Sequence, residues 1–68
     1  MKAVSGKHFM LLLKNRGWEL KRVNGSHHIF SHPDNIARIS LPVHGNQALK
    51  LGLQKHIMKI ANIKEVDL

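Results

Sequence analysis

An α+β fold in the order helix, three-stranded antiparallel meander, helix is what this sequence predicts, and three observations carry it. Near both ends of the chain apolar residues recur at three- and four-residue steps, the spacing of one helix face. Between them lie three short runs of strand-forming residues. Asn24-Gly25 separates the first two runs and Pro33-Asp34-Asn35 the last two, turn signals too short to hold a crossover helix. Consecutive strands therefore pair antiparallel, and the two helices share the covering of one sheet face.

The first helix starts after Ser5, whose hydroxyl suits an N-cap, with Val4 placed to pack against Phe9 as a staple. It runs to about Arg16: Phe9, Leu12, Leu13 and the stem of Arg16 form one stripe, while Lys7, Lys14 and Asn15 lie off it. Met10 and Leu11 widen the apolar arc toward the core or a partner, and Gly17 supplies the left-handed stop. Trp18 to Val23 is the first strand, and Ser26 to His32, centred on Ile29 and Phe30, is the second. In the third, Ile36 to Leu41, Ala37, Ile39 and Leu41 alternate with Arg38 and Ser40, the pattern of a sheet wet on one side. Pro42 ends it. A loop, Val43 to Leu49, carries His44-Gly45-Asn46. The second helix, about Lys50 to Ala61, rests on Leu53, Ile57 and Ile60, with Gly52 weakening only its first turn. Asn62 takes the left-handed cap, and Ile63 to Leu68 is a short tail bearing Glu65 and Asp67.

Sixty-eight residues make one domain, residues 1–68, and a chain this short buries only about 60% of its unfolded surface, too little to enclose a large cofactor. An active surface must be shallow. Eleven basic against four acidic residues give a net charge of +7, which suits a phosphate polymer, an anionic membrane or an acidic protein partner. The absence of cysteine excludes disulfides, thiolate-bound zinc and thiol nucleophiles. No apolar run approaches the roughly 20 residues that span a bilayer, and Phe9 to Leu13 is too short for a signal-peptide core. A soluble cytoplasmic protein without a membrane partner is expected. A small sheet with one open face flanked by Lys and Arg is a common platform for RNA.

Six histidines stand out in so short a chain. His8 and His56 fall within helices as solvated surface residues, His32 before Pro33 is a turn residue, and His44 either braces its loop or faces a substrate. His27 and His28 are neighbours in a strand and point to opposite faces, so only one of them serves a site on the open face. With Phe30 in the core, the period of two puts His28 on the covered side and His27 on the open side; a bulge near Gly25-Ser26 would invert that assignment. Zinc is a poor fit, since there is no cysteine, there are few acids, and no two histidines stand at i and i+4 on a helix. No metal site and no cofactor are expected.

Several of these segments together resemble the HicA toxin family of toxin–antitoxin systems: Ser5-Gly6-Lys7, Gly17-Trp18, Arg22 with Gly25-Ser26-His27-His28-Ile29-Phe30, His32-Pro33-Asp34, Leu41-Pro42-Val43-His44-Gly45, and the closing helix Leu53 to Asn62. The resemblance covers nearly the whole chain, and the Gly-Ser-His turn joined to Pro-Val-His is its most specific part. It implies a fold resembling the double-stranded RNA-binding domain, and a type II system toxin that cleaves mRNA as a metal-independent endoribonuclease. It also implies silencing by a HicB-like antitoxin. The family's catalytic histidine directly follows Gly-Ser, which is His27 here. The chain departs from the family pattern at Leu53-Gln54, where relatives often have Thr-Leu, and at Asn62, where glycine is usual.

Read from the residues upward, metal-free RNA cleavage needs a base for the ribose 2′-OH, charge to stabilise the five-coordinate phosphate, and an acid for the leaving oxygen. Histidine suits the first role because an ordinary imidazole titrates near 6.5, so it both takes and returns a proton at cellular pH. Ser26 and the turn's N–H groups are placed for phosphate oxygens; Arg22, Lys21 and Arg38 supply positive charge near the open face. His44, a lysine or water remain open as the acid. The competing reading is a non-catalytic RNA-binding module of the same fold, which accounts for the charge but not for Ser-His-His in the turn.

Overall fold

Ser5 opens the first helix as expected: its Oγ accepts the His8 N–H at 3.1 Å, and Val4 and Phe9 are both buried in the core. The computed structural model describes residues 1–68, with α1 at Gly6–Asn15, β1 at Glu19–Asn24, β2 at His27–His32, β3 at Asn35–Pro42 and α2 at Leu51–Ala61. The sheet is an antiparallel meander in the order β1-β2-β3, so the α+β fold predicted from the sequence holds.

Cross-strand register decides which side chains share a face. Leu20, Phe30 and Ile39 form one row and Val23, His28 and Leu41 the next. Phe30, Ile39 and Leu41 are completely covered, packing in one cluster with Phe9 and Leu13 of α1 and with Ile57, Met58 and Ala61 of α2. At the β1 end of these rows the cover runs out. Every residue of β1 is exposed, including Leu20 at 39% and Val23 at 53%. Leu11, on the apolar arc by sequence, is 59% exposed on the far side of α1, whereas Met10 packs against the core.

Two further contacts close the molecule. Gln54 of α2 is fully buried and ties down the amino-terminal segment: Val4 N–H donates to its Oε1 at 3.0 Å, and its Nε2 donates to the Lys2 carbonyl at 2.7 Å. The carboxyl-terminal residues, expected as a plain tail, fold back as a 3-10 turn at Glu65–Asp67. There Asp67 pairs with Arg16 at 2.7 Å, and Ile63 is buried. Asn62 takes the left-handed cap of α2 at φ 56°, ψ 42°. The residue standing where the family usually has glycine thus performs glycine's task, as asparagine tolerates that region better than most side chains.

Candidate functional site

The hairpin between β1 and β2 turns one residue later than the Asn-Gly signal implied. Asn24 pairs with His27, so the loop is Gly25-Ser26 alone. Only Gly25 has positive φ, at 63°, the pattern of a turn with glycine in its first central position. The carbonyl of Ser26 accepts two donors, the Val43 N–H at 2.8 Å and the His28 Nδ1–H at 3.2 Å. These bonds lash the bend to the end of β3 and leave the Ser26 hydroxyl uncommitted.

No register shift falls between His27 and Phe30; the irregularities lie between Leu20 and Arg22 in β1 and between Phe30 and His32 in β2. The parity reading therefore stands geometrically: His28 shares the covered face with Leu41, and His27 projects exposed on the open face. The His27 ring makes no hydrogen bond to the protein. Its row contains Asn24 and Pro42, and the next row contains Arg22, Ile29 and Ser40. Arg22 is thus a diagonal neighbour of His27, about 7–8 Å away by strand geometry. Arg38 is exposed beside the buried Ile39, four residues before Pro42 on β3.

The β1 bulge adds a cation that strict alternation would have hidden. Lys21 is the extra residue between Leu20, opposite Phe30, and Arg22, opposite Ile29. Its Nζ bonds Glu19 Oε1 at 2.9 Å, and Glu19 faces Ser31 on the open side, so Lys21 and Arg22 both serve that face. The signal was present in the sequence: Leu20 and Val23 stand three apart, and a period of two cannot put both on the covered side. The bond from Lys21, reinforced by the charge of Lys21, holds the Glu19 carboxyl below the usual carboxylate range.

Two further histidines sit elsewhere. His44 lies beyond the end of β3, in a four-residue turn closed by the Gln47 N–H on the His44 carbonyl at 2.9 Å. His32 is structural: its Nε2–H donates to the Arg16 carbonyl at 2.9 Å, and its Nδ1 accepts the Asp34 N–H at 3.0 Å. That pair of bonds holds the ring edge-on to Trp18 at 5.2 Å. No three histidine, aspartate or glutamate side chains gather closely enough to hold a metal ion.

A sequence model described as the HicA toxin of bacterial toxin–antitoxin systems matches residues 6–63. The chain belongs to the HicA toxin family. Family membership brings with it a role as a toxin and an antitoxin as partner. The matched span takes in α1, the whole sheet and α2, so the Gly25-Ser26-His27 bend and the Pro42-Val43-His44 segment both lie within it. No curated protein matches the chain. No helix is long and apolar enough to cross a membrane.

Proposed function

We propose that this HicA-family protein is a cytoplasmic endoribonuclease of a type II system that cleaves mRNA without a metal, uses His27 as its base, and is silenced by a HicB-like antitoxin. The observation that carries the reading is the contrast between two adjacent imidazoles. His28 is engaged behind the bend, while His27 is exposed, unbonded and diagonal to Arg22, with Lys21 and Arg38 farther along the flanking strands.

With RNA laid along the open face, the neutral His27 ring takes the proton of a ribose 2′-OH. The 2′ oxygen forms a bond to the adjacent phosphorus as the bond to the 5′ oxygen breaks, giving a 2′,3′-cyclic phosphate and a 5′-hydroxyl end. Arg22, Lys21 and Arg38 stabilise the charge that builds on the phosphate oxygens, and the Ser26 hydroxyl donates to one of them. No second histidine or carboxylic acid stands in the two rows around His27, and Lys21 is given over to Glu19 and the phosphate, so the proton returns to the leaving oxygen through water and turnover is slow. His44 contacts RNA beyond the end of β3. A HicB-like partner silences the enzyme most simply by laying an acidic surface over this face.

A non-catalytic RNA-binding module uses the same cations, and one experiment separates the two. Incubation of purified protein with a labelled transcript in excess EDTA yields fragments ending in cyclic phosphate if the ribonuclease reading is right. A shifted but intact band identifies a binder, and cleavage that EDTA abolishes returns the chemistry to a metal.

A further inference from the structure

The four-residue turn beyond β3 overlooks a hollow of about 390 Å³ lined by Pro42, His44, Gln47, Leu49, Lys50 and Leu53. Pro42 belongs to two places at once: it lines this hollow and is the β3 partner of His27. Directly paired residues on antiparallel strands lie about 5 Å apart, so the Pro42 wall of the hollow stands one strand across from the backbone of His27. From these observations we propose that the hollow receives one base of the RNA, next to the bond cut at His27, and that Gln47 selects which base it accepts. The proposal rests on the ribonuclease reading and deepens it.

The walls suit a base. Its volume falls within the range of small-ligand sites, and Pro42, Leu49 and Leu53 give flat apolar surface while the imidazole of His44 offers a stacking partner. Gln47 presents an amide oxygen and an NH2 side by side, the arrangement that reads paired donor and acceptor atoms on a base edge. Neither the His44 nor the Gln47 side chain is engaged by the protein. Lys50 brings a charge for the nucleotide's phosphate. The site is held from behind: Gly45 takes φ 54° to bend the turn, Ala48 bridges to Ser5, and the Leu49 N–H donates to the Val4 carbonyl at 2.8 Å. The His44 and Gln47 backbones are kept within about 7 Å by the turn itself.

Two measurements test this together. Amide spectra of the 15N-labelled His27→Ala protein are recorded with each of the four nucleoside 5′-monophosphates, and cut sites in an RNA with a randomised core are sequenced for wild type and Gln47→Ala. The expected result is that one nucleotide perturbs Gln47 to Leu53 at lower concentration than the other three. Gln47→Ala then flattens the base preference at one position beside the cut by about tenfold. Cleavage with no nucleotide response in the hollow, or a preference unchanged in Gln47→Ala, overturns the subsite and leaves the ribonuclease reading standing. A selective response in the hollow from a protein that cuts no RNA overturns the ribonuclease reading and retains the nucleotide site.

Discussion

A glutamine with no exposed surface must find partners inside the protein for its oxygen and its amide hydrogens, and Gln54 finds them in Lys2 and Val4. Gln54→Ala strands a buried N–H and a carbonyl and opens a void, so it is expected to cost about 2–4 kcal/mol in urea unfolding. Gln54→Leu is expected to be destabilising as well, because it fills the space and leaves the same groups unpaired. Glu19 shows the opposite case of a bonded polar group with little bearing on stability. Its folded pKa is lowered, so whatever it contributes is present above the unfolded carboxylate value and lost as pH falls through the folded one. The side chain is fully solvated, and Glu19→Gln is expected to leave the melting temperature at neutral pH unchanged. Freeing Lys21 from its counter-charge should instead steepen the salt dependence of RNA binding by about 0.7 to 0.9 in logarithmic slope, as for one added phosphate contact. An unchanged slope would show that Lys21 does not meet the strand.

At the scale of elements, two helical glycines predict opposite signs for the same substitution. A methyl group at Gly6 would collide with the Pro42 carbonyl where the start of α1 rests on the end of β3, whereas one at Gly52 would meet nothing within 4 Å. Gly6→Ala is therefore expected to destabilise by about 1–3 kcal/mol through overpacking, against the helix preference for alanine, and Gly52→Ala to stabilise by up to about 1 kcal/mol. Denaturant midpoints of the two variants check both signs. Local chemistry made much of this legible in the sequence: the Ser5 cap, the Val4 and Phe9 staple, the stop at Asn62 and the alternation of β3 each depend on near neighbours. What lay hidden depends on residues far apart in the chain. The β1 bulge arises from pairing with β2, Gln54 finds its partners some fifty positions upstream, and Asp67 meets Arg16 only when the chain ends come together. For the site, parity alone separated His27 from His28, but the lashing of the bend through the Ser26 carbonyl needed the position of Val43. The loop falls one residue later than Asn24-Gly25 because Asn24 serves as the last strand residue and leaves glycine alone with positive φ.

Across the whole molecule, the surplus charge is spread over both layers and mostly left free. Of the eleven lysines and arginines, only Arg16 and Lys21 are in ion pairs. On the proposed reading, the free cations draw RNA in from a distance, while the histidine at the bend decides whether a bound strand is cut. Affinity and chemistry should therefore separate in a single variant. The most direct test compares purified wild type with His27→Ala on the same labelled mRNA, with melting curves recorded for both. The account predicts fragments from the wild type alone, with equal melting temperatures and equal RNA affinity. A His27→Ala protein that folds normally and cleaves as fast as the wild type would contradict it.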